Sequence, residues 1–187
     1  MREIEVKARL HNPAMFLAAA KKLAIDFGPP IIQDDTTYED TLPNDHPDYS
    51  VFRIREQDGT HILTMKHRAS SRSRDNHEYE TIIDNPAAVI KMLHRLGYEP
   101  GIRIVKQRRV AHYNDIELTL DTIDELGVFV EAEKLAADDA DVDQVQHELW
   151  ALLTKLGVLP TDRTHLGYDL LVRELRRGSP PLKTPNL

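Results

Sequence analysis

Cysteine is absent from the 187 residues, which excludes disulfides, thiolate chemistry and cysteine-ligated metals. No apolar run is long enough to cross a bilayer and the charged N-terminus does not resemble a signal peptide, so we expect a cytoplasmic protein without membrane contact. A glycine-rich Walker loop is also missing, which excludes P-loop binding of a nucleotide. The formal net charge of −7 argues against nucleic acid as a partner, although a local cluster of bases can still bind a small anion.

The residues that are present are those of a globular chain. A hydrophobic fraction of 41% and a charged fraction of 29% suit a single domain of this length. We assign residues 1–175 to that domain. Residues 176–187, which end in "GSPPLKTPNL", are expected to be disordered.

Alternating apolar and polar residues predict eight mostly antiparallel strands. These span roughly residues 2–10, 36–41, 50–56, 60–67, 77–83, 102–110, 114–121 and 127–134. Helices are predicted after Asn12-Pro13 and Asn85-Pro86, where asparagine can cap a helix that proline opens, and over about 141–156 and 165–176.

An internal duplication is predicted from two segments that begin alike. "NPAMFLAAAKKLAIDFG" and "NPAAVIKMLHRLGYEPG" have the same length and both end in glycine. Each follows one predicted strand and precedes others, so the unit strand–helix–strands occurs twice. Chance agreement between common helix-start residues is the alternative. Two such halves supply about eight strands, a number that can close into a barrel.

Charged residues alternate with apolar residues on seven of the predicted strands. Because side chains two residues apart share a face of a strand, each of these strands has one charged and one apolar face. The bases are Lys7, Arg53, Arg55, Lys66, Lys106 and Arg108, and the acids are Glu3, Glu5, Glu78, Glu80, Glu117, Asp121, Glu131 and Glu133.

Two arrangements account for this alternation. A sheet or sandwich can hide its apolar faces and expose every charge, or a barrel can enclose the charges while amphipathic helices cover its apolar outside. The presence of both signs favours the barrel, because a Mg²⁺-bound triphosphate needs bases for its phosphates and carboxylates for its metal. We therefore expect Glu3, Glu5 and Lys7 to face inward rather than Ile4 and Val6.

The charged motifs resemble the CYTH domain family, also called the triphosphate tunnel metalloenzymes. "EIEVK" matches the family's Glu-x-Glu-x-Lys signature, and "TTYED", "FRIR", "LTMK", "HEYE", "VKQRR", "IELTLDTIDELGVFVEAE" and "HLGYDLL" follow in order over roughly residues 1–171. The resemblance implies an α+β fold in which a closed eight-stranded antiparallel barrel forms a tunnel, with helices packed on its outside. It also implies a Mg²⁺- or Mn²⁺-dependent reaction on a small-molecule triphosphate, and leaves a homodimer open.

The resemblance also implies roles for individual residues. The metal-binding acids would be Glu3, Glu5, Glu131 and Glu133, with Glu117 and Asp121 as further acids near a second metal. The phosphate-binding bases would be Lys7, Arg53, Arg55, Lys66, Lys106 and Arg108. Tyr38 and Lys66 match a pair with which hydrolytic members prepare a water molecule.

The pattern is most similar to the class IV adenylate cyclase branch, which converts ATP to cyclic AMP and pyrophosphate. A triphosphatase acting on tripolyphosphate, thiamine triphosphate or a nucleoside triphosphate would use the same clamp and metal. A non-enzymatic binder of nucleotide or polyphosphate is the third interpretation. The polar segment 67–77 is either a flexible hairpin loop or a lid over the tunnel.

Overall fold

In the part of the chain that the structure describes, nine antiparallel strands form one sheet and four α-helices pack against it. The structure is a computed structural model that describes residues 2–40, 49–68 and 76–178. The strands are β1 (Arg2–Leu10), β2 (Ile31–Asp40), β3 (Tyr49–Gln57), β4 (Thr60–Arg68), β5 (Asn76–Ile82), β6 (Tyr98–Tyr113), β7 (Ile116–Ile123), β8 (Gly127–Ala136) and β9 (Arg163–Thr164). The helices are α1 (Pro13–Lys22), α2 (Pro86–Arg95), α3 (Val142–Lys155) and α4 (Tyr168–Gly178).

The strands follow the order β5-β4-β3-β2-β6-β7-β8-β1-β9 across the sheet. Among the described residues β5 and β9 are edge strands, so the predicted closed barrel of eight strands is not confirmed. The ninth strand explains part of the difference, because β9 pairs with Lys7 and Ala8 along the edge of β1 that closure would require. Two residues are too few to show an alternating pattern, and the sequence therefore gave no sign of β9.

The two halves of the chain are arranged as the predicted duplication requires. Each half of the chain has a strand, a ten-residue helix and three more strands. In the sheet β2 and β6 are neighbours at the centre, β3 and β4 follow on one side, and β7 and β8 follow on the other. The side chain of Asn12 accepts a hydrogen bond from the amide of Met15, and Asn85 accepts one from Ala88. Both helices thus begin with the same cap, which supplies a partner for an otherwise unpaired backbone N–H group.

One face of the sheet, called here the helix face, is apolar and is covered by α1, α2 and α3. Ile4 and Val6 are 4% and 3% exposed and belong to a core that also contains Phe16 of α1 and Leu149 of α3. A smaller core on this face joins Leu93 of α2 to strands β2 and β3. Glu3, Glu5 and Lys7 alternate with Ile4 and Val6 and therefore lie on the opposite face, called here the charged face.

Helix α4 differs from the other three because it packs on the charged face. Tyr168 and Val172 contact Ile104, Ile123 and Phe129, which share that face with the charged residues. The prediction of helices on the outside is therefore correct for α1–α3 and wrong for α4. Ile104, Ile123 and Phe129 replace charged residues in the alternation and form the apolar surface on which α4 packs. The prediction considered only the charged positions and therefore missed this surface.

Several expectations concern the ends of elements and segments. Helix α4 continues to Gly178, three residues into the segment expected to be disordered, and residues 179–187 lie outside the described residues. Residues 69–75 of the candidate lid also lie outside them. Within the described ranges, no helix has the length and apolar character needed to span a membrane.

The core assignment predicts the effect of Leu153→Ala. Leu153 of α3 is 0% exposed, so truncation should leave a cavity and lower the free energy of unfolding by roughly 2–5 kcal/mol. Leu135→Ala is the matched control, because Leu135 is 62% exposed and its truncation should change stability by less than about 0.5 kcal/mol. Urea denaturation measures both values, and equal losses in the two variants would contradict the assignment of the core.

Candidate active site

Arg108 of β6 is at the centre of an ion-pair network on the charged face. Strand register places it opposite Asp121 of β7, and the guanidinium donates to both carboxylate oxygens at 2.7 and 2.5 Å. It also donates to Glu131 of β8 at 2.7 Å. Lys7 of β1 is paired with Glu131 by register, and its ammonium lies 2.9 Å from the other oxygen of that carboxylate. Four neighbouring strands therefore contribute to one connected set of charges.

Lys106 joins this set to a second ion pair. Arg55 of β3 donates to both oxygens of Asp35 on β2, at 2.7 and 2.9 Å. The Lys106 ammonium lies 3.7 Å from Asp35 and 3.5 Å from Asp121, and the residue is only 3% exposed. We call the seven residues Lys7, Asp35, Arg55, Lys106, Arg108, Asp121 and Glu131 the central network.

Burial and pairing shift the pKa values within the central network in different directions. Burial and the neighbouring Arg108 charge lower the pKa of Lys106 to about 8, despite attraction from Asp121 and Asp35. Burial would also lower the pKa of Lys7, but Glu131, Glu5 and Asp121 together outweigh it and raise that pKa. Burial would raise the pKa of Glu131, and the charges of Lys7 and Arg108 instead hold it well below its usual range. Glu131 is thus an ionised partner for bases.

Four carboxylates form a second group on the charged face, called here the acidic cluster. Register aligns Glu5 of β1 and Glu117 of β7 on either side of Glu133 of β8, and Glu3 is two residues along β1. Burial raises the pKa of Glu133 to about 8, together with the charge of Glu3, a hydrogen bond to Glu3 and repulsion from Glu117 and Glu5. A carboxyl that keeps its proton among other acids shows that negative charge accumulates here.

The chemistry of the acidic cluster fits a hard divalent cation. Carboxylate oxygens are the donors that Mg²⁺ and Mn²⁺ prefer, and Glu3 and Glu5 are exposed enough to leave room for bound water. Among the described residues no group of three or more acidic or histidine side chains is drawn together as a formed metal site. The six predicted metal ligands therefore divide, since Asp121 and Glu131 bind bases and only Glu3, Glu5, Glu117 and Glu133 form the acidic cluster.

The remaining predicted site residues lie away from these groups. Arg53 of β3 donates to Glu80 at 3.0 Å and to Thr64 at 2.9 Å, towards the β5 edge of the sheet. Lys66 pairs with Glu78 in the register between β4 and β5, and its side chain lies outside the described part of the structure.

Tyr38 is not on the charged face. The residue is 4% exposed and belongs to the small core with Ile54 and Leu93 on the helix face. Regular alternation along β2 accounts for this placement, because Tyr38 is two residues from Thr36 and pairs with Phe52 in unbroken register with β3. The predicted pair of Tyr38 and Lys66 stays a prediction, because the side chain of Lys66 lies outside the described part of the structure.

Two residues of the site were missed as functional candidates. Asp35 was overlooked because β2 begins at Ile31, five residues before the predicted strand, and alternation of Gln33, Asp35 and Thr37 would have revealed it. Tyr168 was noted only as part of a motif. Its hydroxyl donates to Asp121 at 3.0 Å, and the pKa of Tyr168 is raised by burial and by the charges of Glu131 and Asp121.

A cavity of about 330 Å³ lies on the helix face between α2 and strands β2–β4. Tyr38, Ile54 and Ile90 supply apolar surface, and Arg103 is already paired with Asp34 at 2.5 Å. This mixed lining does not suit a polyanion, so the cavity is a poorer candidate for a phosphate site than the central network.

The pairing of Asp35 predicts a pH-dependent loss of stability in Asp35→Asn. Burial would raise the pKa of Asp35, but hydrogen bonds from Arg55 and the charge of Lys106 lower it from 3.8 to about 2. The ionised carboxylate therefore contributes about 2 kcal/mol above pH 4, and this contribution disappears as the pH falls towards 2. Chemical denaturation at pH 7 and below should show a difference between wild type and Asp35→Asn that shrinks over this interval.

Asp34→Asn is the matched control for Asp35→Asn. Asp34 is the adjacent residue on the other face of β2, and its partner Arg103 has a side chain that is 68% exposed. Exposed pairs contribute little, so Asp34→Asn should change stability only slightly. Similar losses in the two variants at pH 7 would contradict the importance of the buried network.

Two proteins that bear adenylate cyclase names are similar to this chain over most of its length. The chain is 26% identical over 159 residues to a Methanocaldococcus jannaschii protein named "Putative adenylate cyclase MJ0240", covering 84% of this chain and 91% of that one. It is 26% identical over 180 residues to adenylate cyclase CyaB of Aeromonas hydrophila, covering 92% and 89%.

Solved structures share the fold. The PH1012 protein of Pyrococcus horikoshii superimposes with a TM-score of 0.76 at 24% identity, covering 90% of this chain and 98% of that one. HpAC1 of Hippeastrum, described as having a dominant triphosphatase activity, gives a TM-score of 0.65 at 19% identity and coverage of 92% and 95%. The model of the CYTH domain matches residues 1–168, and the chain therefore belongs to the CYTH domain family.

Proposed function

We propose that this CYTH-family enzyme is a metal-dependent adenylate cyclase that binds the triphosphate of ATP on the charged face. The observation that carries the proposal is the composition of the central network, in which four bases share three acids. Buried positive charge in excess of its partners is costly, and a bound anion offsets that cost. Arg55 and Arg108 each present a planar fork of N–H donors, which suits phosphate oxygens.

The acidic cluster supports the metal dependence. Glu3, Glu5, Glu117 and Glu133 would hold Mg²⁺ or Mn²⁺ beside the central network, where Lys7 and Glu131 adjoin them along β1 and β8. When bound, such an ion neutralises charge on phosphate oxygens. The chain's own bases would fix the orientation of the triphosphate, which is the main requirement for an intramolecular displacement.

In the proposed reaction the ribose 3′-hydroxyl oxygen bonds to the α-phosphorus. The bond from that phosphorus to the oxygen bridging it to the β-phosphate breaks, pyrophosphate leaves, and the hydroxyl proton passes to solvent. Lys7, Lys106, Arg55 and Arg108 would hold the phosphates in line for this exchange and bind the charge of the departing pyrophosphate. The closed tunnel that the family resemblance implies would surround the same face.

Two observations favour the cyclase over the triphosphatase. Both curated relatives bear adenylate cyclase names, and Tyr38 faces away from the charged residues with which it would prepare a water. The triphosphatase is the second candidate because the same bases would hold a triphosphate for attack at its terminal phosphorus, and because HpAC1 combines this fold with that activity.

Product identity tests the proposal. Purified protein incubated with ATP and either Mn²⁺ or Mg²⁺ should form cyclic AMP and pyrophosphate in equal amounts, which chromatography separates from ADP and orthophosphate. Omission of the metal should abolish turnover. Orthophosphate without cyclic AMP would replace the cyclase with the triphosphatase, and turnover of ATP that is unaffected by a chelator would contradict the metal dependence.

Removal of the Arg55 fork should weaken ATP binding. Arg55→Ala takes away a buried phosphate donor and leaves Asp35 without its main partner, so we expect a loss of roughly 2–5 kcal/mol in binding free energy. Calorimetric titration of ATP into the folded variant gives the value.

Arg103→Ala is the control for the Arg55 variant. Arg103 makes the same two-point contact with Asp34 as Arg55 makes with Asp35, but on the helix face. Its removal should leave ATP affinity within about twofold of wild type, since exposed pairs contribute little. Loss of affinity in both variants, or in neither, would argue against binding on the charged face.

A further inference from the structure

Tyr168, the first residue of α4, contacts the central network. The residue is 8% exposed, and its ring lies beneath two ammonium groups, with Lys7 Nζ 4.3 Å and Lys106 Nζ 5.1 Å from the ring centroid. Its hydroxyl donates to Asp121 at 3.0 Å. One side chain therefore contacts two bases and one acid of the network.

The ring adds to the attraction on the Lys106 ammonium, which its carboxylate partners supply only weakly. The Lys106 ammonium is 3.5 and 3.7 Å from its two carboxylate partners, longer than a good charge-assisted hydrogen bond. The negatively polarised face of an aromatic ring attracts an ammonium group within about 6 Å, most strongly where water is excluded. Tyr168 meets both conditions for Lys7 as well as for Lys106.

We propose that Tyr168 is a positioning residue for the triphosphate, whose ring orients Lys7 and Lys106 towards the phosphates. This inference rests on the proposed function of the charged face. Helix α4 would therefore contribute to the binding site as well as to the apolar core. Arg173, one turn further along α4, forms an ion pair with Glu39 of β2 and so ties the same helix to the far side of the network.

A purely structural role makes a different prediction. The Tyr168 ring also packs edge-on against Phe129 with centroids 5.3 Å apart, and Val172 of the same helix is fully buried. If Tyr168 only anchored α4, tripolyphosphate affinity would depend on the shape of the ring and not on the negative charge of its face. Fluorination of the ring separates the two, because it weakens attraction for cations while changing ring size very little.

The test uses the full-length protein with phenylalanine, 4-fluorophenylalanine or 3,4,5-trifluorophenylalanine at position 168. Calorimetry with inorganic tripolyphosphate and Mg²⁺ gives the dissociation constant for each form. Tyr168→Phe should bind within about threefold of wild type, because the ring remains and Asp121 keeps both contacts with Arg108. Successive fluorination should weaken binding stepwise, by about tenfold for the trifluorinated ring relative to phenylalanine.

Val172→Ala provides the control for loosening of α4. It should lower the melting temperature without changing tripolyphosphate affinity more than about twofold, because Val172 is an aliphatic side chain that packs in the apolar cluster of Ile104, Ile123 and Phe129. An unchanged dissociation constant across the fluorinated series would overturn the inference while leaving the proposed function intact. Failure of wild type to bind tripolyphosphate would instead overturn the proposed function itself.

Discussion

The pairing of buried charges across neighbouring strands is the interaction on which the rest of this structure depends. An ion removed from water costs several kcal/mol unless a partner compensates it. Antiparallel register provides these partners at fixed positions, as where Arg108 stands opposite Asp121 and Lys7 opposite Glu131. The apolar residues between them can then pack against α1 and α3 on the helix face, so one alternation builds the core and the site together.

The pairing is incomplete in two places, and both are informative. The central network contains more bases than acids. In the acidic cluster, burial and the neighbouring carboxylates raise the pKa of Glu133 to about 8. An anion suits the first group and a divalent cation suits the second. We propose that the two groups are parts of one site, because a metal-bound triphosphate would satisfy both at once. Tyr168 adds an uncharged contact that stabilises two bases without neutralising them.

Strand alternation was sufficient to predict most of the sheet and the face on which the charges lie. It correctly put Glu3, Glu5 and Lys7 on one face, because residues two apart share a face in any strand, whatever the topology. That this face points into a closed barrel stays a prediction, because the sheet is not closed among the described residues. Alternation along β2 also puts Tyr38 on the face opposite Asp35, and the expectation for Tyr38, which was drawn from the family resemblance, did not use it. Alternation could not separate Glu131 from Glu133, because the two residues share a face of β8. Only the contacts distinguish them, since Glu131 binds Lys7 and Arg108 whereas Glu133 lies among other acids.

A crystal structure with Mn²⁺ and a non-reactive ATP analogue would test the central claim most directly. The account predicts phosphate oxygens against Arg55, Lys106 and Arg108, with anomalous scattering from manganese beside Glu5 and Glu133. It would be contradicted by phosphates bound on the helix face, in the cavity beside Tyr38 and Arg103, or by manganese that is coordinated only by residues outside the acidic cluster.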